Sequence, residues 1–261
     1  MKKRVFALLL TLALMFSVLP GTVFAAESAV PAEVGGGGIL DAARGKLTRL
    51  GGLTRTETYA ISETTRKAVT SKIVTGLKNR SEKIDVSSYG LTVDEGYNLY
   101  YEVLDAHYEL FYVKNGFSWS YSGDTIASIQ PVYDTAYTDD DVTAFNNLVI
   151  SIIAGLPQGT TVEKLLYLHD YLITHCEYDG TYPKTSAFNA LVEGSAVCDG
   201  YSKAYKVLCD QAGLTCEFVS SEAINHSWNM VQVGNGDTAW YYISTAPGMI
   251  PRMGAKAAAS I

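Results

Sequence analysis

Apolar residues recur at helical spacing at Val69, Ile73 and Leu77, which predicts a helix over Arg66–Arg80. Thr92-Val93-Asp94-Glu95 opens a second helix with Leu99, Val103 and Leu104 facing one way. After Asn115-Gly116 the period drops to two at Phe117, Trp119 and Tyr121. Ser122-Gly123-Asp124 then makes a turn, and Ile126, Ile129 and Val132 follow, so this stretch reads as a hairpin. Asp139-Asp140-Asp141 caps a helix that runs to Ala154 and ends at Gly155-Leu156-Pro157. Thr160 and Thr161 begin another, which carries Leu165, Leu168, Leu172 and Ile173 as far as Cys176. Glu177–Ser186 reads as a loop and Ala187–Gly194 as a short helix and turn. Asp199–Ala212 reads as a helix stopped by Gly213, with Cys198 in its first turn. Glu217–Ser220, Ser227–Val233 and Ala239–Ile243 read as strands.

The first residues change the picture of where the protein works. Lys2-Lys3-Arg4, an apolar run from Val5 to Leu19, a break at Pro20-Gly21 and the small residues around Ala25 predict a secretory signal peptide over 1–25. Glu27–Arg55, with Gly35-Gly36-Gly37-Gly38, has little apolar periodicity to bury, and 26–55 reads as a flexible linker. A small α+β region over 56–155 and a core over 156–243 follow, then a tail over 244–261 without strand pattern. Cleavage would take the formal net charge from −7 to −10, because the first 25 residues hold three positive charges and no negative ones. An acidic chain argues against nucleic acid or anionic lipid as partner, and no membrane association is expected after signal cleavage.

The tyrosines at 97, 100, 101, 108 and 112 suggest a sugar-stacking platform or, as the weightier alternative, core packing. Cys176, Cys209 and Cys216 read as core thiols, with pairing of Cys209 and Cys216 the alternative. His169 and His175 lie six apart on one helix and do not share a face. Neither they nor His107 form a ligand cluster, and no metal or cofactor is expected. No EF-hand-type loop is present in the sequence.

Cys198 stands apart from the other cysteines. At a helix start the unpaired backbone N–H groups and the helix dipole favour a thiolate, and a histidine carried on a neighbouring strand supplies the base that a thiol needs. Gly194 and Gly200 give room for close backbone approach by a substrate. The run Ala196-Val197-Cys198-Asp199-Gly200-Tyr201-Ser202-Lys203-Ala204, the downstream His226-Ser227-Trp228-Asn229 and Trp240-Tyr241-Tyr242-Ile243 resemble the bacterial transglutaminase-like superfamily. The segment Tyr167–Tyr171 through Tyr178-Asp179 looks like the stretch that precedes the nucleophile there. The resemblance covers about 160–243. It implies an α+β, papain-like core in which a nucleophile-bearing helix packs on an antiparallel sheet. Cys198 attacks a carboxamide or peptide carbonyl, His226 acts as base and then acid, and an aspartate orients the imidazole. Capture of the acyl-enzyme by an amine gives a cross-link, and capture by water gives hydrolysis.

The aspartate is missing. Family members follow the Trp-Tyr strand with Asp-x-Thr-Trp-Asp-Asp-Pro, whereas here Ser244-Thr245-Ala246-Pro247 stands. Codons chosen to encode Ser244–Met253 yield Asp-Gly-Thr-Trp-Asp-Asp-Pro when read two bases later. The expectation is therefore a core left incomplete, truncated or frameshifted after Ile243. In the serine-protease template, loss of the orienting aspartate costs about 10⁴ in rate. Ser244 and Asp237 are the substitutes within reach in the sequence. Two functions stay open: an exported thiol acyltransferase or peptidase acting on protein or cell-wall peptide, impaired as written, and a non-catalytic binding or scaffold module that keeps the fold.

Overall fold

In the computed structural model, Ser62 accepts a hydrogen bond from the Thr65 amide and starts α1 (Glu63–Lys78), whose Val69, Ile73 and Leu77 are fully buried. The structure describes residues 61–246 except 182, 183 and 235. The expected signal peptide, the linker and the tail beyond 246 lie outside the described residues. Helix α2 (Val93–Ala106) begins on a reciprocal pair in which the Thr92 hydroxyl accepts from the Glu95 amide and the Glu95 carboxylate accepts from the Thr92 amide. Both helices are joined to an antiparallel sheet of β1 (Ile84–Asp85), β2 (Val113–Ser122) and β3 (Thr125–Tyr133), ordered β1–β3–β2. The hairpin turns at Gly123, whose φ of +64° is left-handed and suits a residue without Cβ. A register shift between Ser120 and Tyr121 interrupts the alternation. Val132, expected on the apolar side, is exposed.

The tyrosines of this region pack inward. Tyr100 and Tyr112 are buried, and the Tyr100 ring lies 4.1 Å from that of Phe117. Desolvation pushes the Tyr133 hydroxyl up to about 12. Aromatic burial rather than an exposed platform accounts for these two residues.

A second core gathers α3 (Asp139–Ala154), α4 (Thr161–His175), α5 (Ala187–Leu191), α6 (Cys198–Gln211) and the sheet β6 (Cys216–Ser221), β7 (His226–Gly234), β8 (Asp237–Ile243). Helix α3 puts Phe145, Val149 and Ile152 into this core, on the far side of the division expected after residue 155. The sheet is antiparallel with β7 central, and α6 packs on β6 and β7. The chain is thus α+β, with the helix that begins at Cys198 laid on an antiparallel sheet, as the family resemblance implies. The stretch expected to be a loop from Glu177 differs. Its first residues form β4 (Glu177–Tyr178), which runs parallel to β5 (Ser195–Ala196). A bridge of two residues has no periodicity to reveal it.

An aromatic seam links the two cores. The Phe111 ring lies 5.0 Å from Phe145 and 4.7 Å from Phe188. The Arg80 guanidinium covers the Tyr112 ring at 4.4 Å, donates to the Tyr137 carbonyl at 3.0 Å and pairs with Asp139 at 3.1 Å. Beside the seam a cleft of about 850 Å³, bordered by Tyr108, Phe111, Lys114, Asp134 and Lys184, reaches Asp199 and Lys203.

Candidate active site

Serine or threonine side chains cap α1 to α5, at Ser62, Thr92, Thr138, Thr160 and Ser186. Helix α6 is preceded by Val197, which has no side chain to offer its first turn. The first amides of the helix therefore have no cap from the residue before it and are placed to favour a thiolate or an oxyanion, the Cys198 amide itself reaching the Tyr178 hydroxyl. Cys198 is half-buried, whereas Cys176, Cys209 and Cys216 are buried free thiols. Burial raises the Cys176 thiol and raises that of Cys216 well above its ordinary range, so both are poor nucleophiles.

The approach to Cys198 is built by the chain itself. Strand β4 pairs Tyr178 with Ala196, and β5 leads through Val197 into α6. The Val197 amide donates to the Lys184 carbonyl at 3.0 Å, and the Tyr201 hydroxyl donates to the Cys176 carbonyl. The space attributed to a substrate at Gly200 and Gly194 is taken up internally. A Cβ on Gly200 would stand 2.7 Å from the Ala196 Cβ and 2.9 Å from the Lys184 carbonyl oxygen. One on Gly194, at φ +67°, would meet the His175 carbonyl oxygen at 3.2 Å. These glycines serve the packing of the helix start.

His226 begins β7, opposite Ser221 of β6, and is only 5 % exposed. Its ring stacks 6.0 Å from that of Trp228. Its Nε2 is buried with no hydrogen-bond partner among the described residues. Burial lowers its pKa below the ordinary 6.5, and the negative charge of Asp199 works the other way. A base kept neutral in this manner is ready to take a proton near neutral pH.

Two hydrogen bonds clamp the His226 strand to the Cys198 helix. The Ser227 hydroxyl donates to Asp199, and the Asn229 amide group donates to the Ser202 carbonyl at 2.9 Å. Asp199 also takes an ion pair from Lys203 at 3.3 Å, and Lys203 reaches the Thr185 carbonyl at 3.1 Å. The residues after the nucleophile and after the histidine are thereby tied together, which brings the two motifs to one place. Asp199, Ser227 and Tyr178 escape assignment from the sequence. Tyr178 is half-exposed, and desolvation raises its hydroxyl, with the charge of the adjacent Cys198 adding to it. Its one signal in sequence is its place in Tyr178-Asp179.

The substitutes for the aspartate fare differently. Asp237 lies opposite Gly234, at the end of β7 away from His226. Eight residues of strand put it about 26 Å from the histidine backbone, too far to orient the ring. Its carboxylate accepts from the Tyr241 hydroxyl and the Ala239 amide instead. Ser244 follows the Asn229–Ile243 pair and so lies toward the His226 end of the sheet. It is buried, but its hydroxyl donates to the Ala246 carbonyl at 3.4 Å, and its own carbonyl accepts from His169 Nε2 at 3.1 Å. His175, the other histidine of α4, stacks on Tyr171 at 4.1 Å.

Residues 147–245 match the family model of the transglutaminase-like superfamily. A solved structure described as the crystal structure of a TGase is 17 % identical with a TM-score of 0.38, over 57 % of this chain and 47 % of that one. The chain thus spans about half the length of that structure. No curated protein matches.

Proposed function

With residues 147–245 a domain of the transglutaminase-like superfamily, we propose that the protein is a thiol acyltransferase or peptidase that works outside the cell on protein or cell-wall peptide. The observation that carries this reading is Cys198 at a helix start without a side-chain cap, tied through Asp199 and Ser227 to a buried histidine whose Nε2 has no partner. In the proposed reaction His226 takes the Cys198 proton and the sulfur attacks a carboxamide or peptide carbonyl. The tetrahedral oxyanion is held by amides of the α6 first turn. Collapse releases ammonia or an amine, which leaves with the proton from His226, and forms a thioester. An amine or water then attacks the thioester, giving a new amide or an acid and restoring the thiol. Export rests on the apolar run Val5–Leu19 and its basic start.

A second reading, a binding or scaffold module without turnover, is favoured by Ser244, whose hydroxyl is turned to Ala246 and brings no charge to His226. Iodoacetamide titration of the full chain separates the two. The enzyme reading expects Cys198 to alkylate well below the ordinary thiol range and to lose that reactivity in His226→Gln. Sluggish labelling with the pH profile of a free thiol, unchanged in His226→Gln, leaves the binding module.

A further inference from the structure

The clamp at the helix start suggests where the missing negative charge has gone. We propose that Asp199 takes over the electrostatic part of the absent aspartate, as a positioning residue that steadies the imidazolium formed when His226 receives the Cys198 proton. This deepens the enzyme reading and rests on it.

Three observations lead there. Asp199 directly follows the nucleophile, and its carboxylate is held by the hydroxyl of Ser227, the residue after His226, so it is anchored at both motifs at once. The two other candidates are occupied or remote: the Ser244 hydroxyl points to Ala246, and Asp237 sits at the opposite end of β7. His226 itself is buried with an unpartnered Nε2, so a nearby charge acts on it with little screening by water. The His226 ring lies against Trp228, and Asp199 on α6 is the charged group that acts on it. Of the carboxylates, Asp199 is the one that raises the histidine.

The step moves one proton and no electrons between molecules. The Cys198 S–H bond breaks, its electron pair stays on sulfur, and the proton bonds to a ring nitrogen of His226. The negative charge of Asp199, held at Ser227 one residue along the strand, favours the resulting cation. Asp199 therefore moves the histidine's titration through its charge, which a purely structural role would not do.

The test follows the His226 ring by NMR titration of the full chain, with His226→Gln identifying its signal, alongside the pH profile of Cys198 alkylation. Asp199→Asn is expected to lower the His226 midpoint and slow alkylation at neutral pH about tenfold, and Asp199→Glu to restore both. A His226 midpoint unmoved in folded Asp199→Asn overturns the proposal. Should Asp199→Asn not fold, a midpoint equally unmoved in Ser227→Ala, which releases the Asp199 carboxylate from β7, overturns it. If instead alkylation never depends on His226, the enzyme reading fails while the NMR midpoints still report whether Asp199 acts on the histidine.

Discussion

His169 and His226 are both buried, 3 % and 5 % exposed, in the same half of the molecule, yet they are finished differently. His169 on α4 donates from Nε2 to the Ser244 carbonyl and sets Nδ1 3.1 Å from Asp170, so both nitrogens have partners. It ties the chain beyond β8 to the helix, with both ring nitrogens engaged by the fold. His226 keeps a buried Nε2 unsatisfied. A buried polar atom without a partner costs roughly 1–3 kcal/mol, and such a cost persists where something other than stability uses the atom. The difference separates a histidine that holds the fold from one held by the fold.

Exchanging the fates of the two rings is the strongest way to break that comparison. His226→Gln is expected to slow Cys198 alkylation at neutral pH by at least about a hundredfold, the usual range for losing a positioned base, with little change in melting temperature. His169→Leu is expected to do the reverse. The Ser244 carbonyl loses its partner and stability falls by about 1–3 kcal/mol, while alkylation stays within about twofold. Denaturant melts and alkylation rates on both variants check this, and equal loss of reactivity in the two would erase the distinction.

Much of this site is legible in sequence, and the rest is hidden for definite reasons. The apolar stripes of α1 and α4 announce themselves because one face of each is buried along its length. The motifs around Cys198 and His226 are visible through their family resemblance. The clamp between them is not, because which side chain Ser227 meets depends on how β7 crosses α6, and spacing along the chain carries no record of that. Nor does sequence reveal that Ser244 spends its carbonyl on His169, a contact between residues 75 apart. Glycines mislead in a different way. Their lack of a side chain signals close approach but leaves open what approaches, and at Gly200 it is the segment around Lys184 and Ser186.

That packing offers a sharper test of how firmly the helix start is held. Gly200→Ala would force a Cβ to 2.7 Å from Ala196 Cβ and about as close to two carbonyl oxygens, Lys184 at 2.9 Å and Ser186 at 3.0 Å. The obstacles are mostly backbone, which cannot rotate away. A loss of about 1–3 kcal/mol in denaturant melts is expected, together with slower Cys198 alkylation as the first turn of α6 moves. Full stability in the variant would mean that the 184–186 segment yields freely, and the clamp would then rest on Ser227 and Asn229 alone.

The smallest effect is in acid. Burial lowers the His226 pKa below its ordinary 6.5, so the unfolded chain binds this proton more readily than the folded one. The contribution is fully present above about pH 6.5 and is lost as pH falls through the folded value, because protons then favour the unfolded state. Between pH 7 and pH 5.5 the melting temperature should therefore fall by about 1–3 °C more in the wild type than in His226→Gln, which has no such group to titrate. Asp199 opposes the burial effect, so Asp199→Asn should widen that gap. Calorimetry on the three proteins reads the gap directly. A wild-type acid sensitivity matched by His226→Gln would assign it to other groups and leave His226 no more strained by its burial than His169.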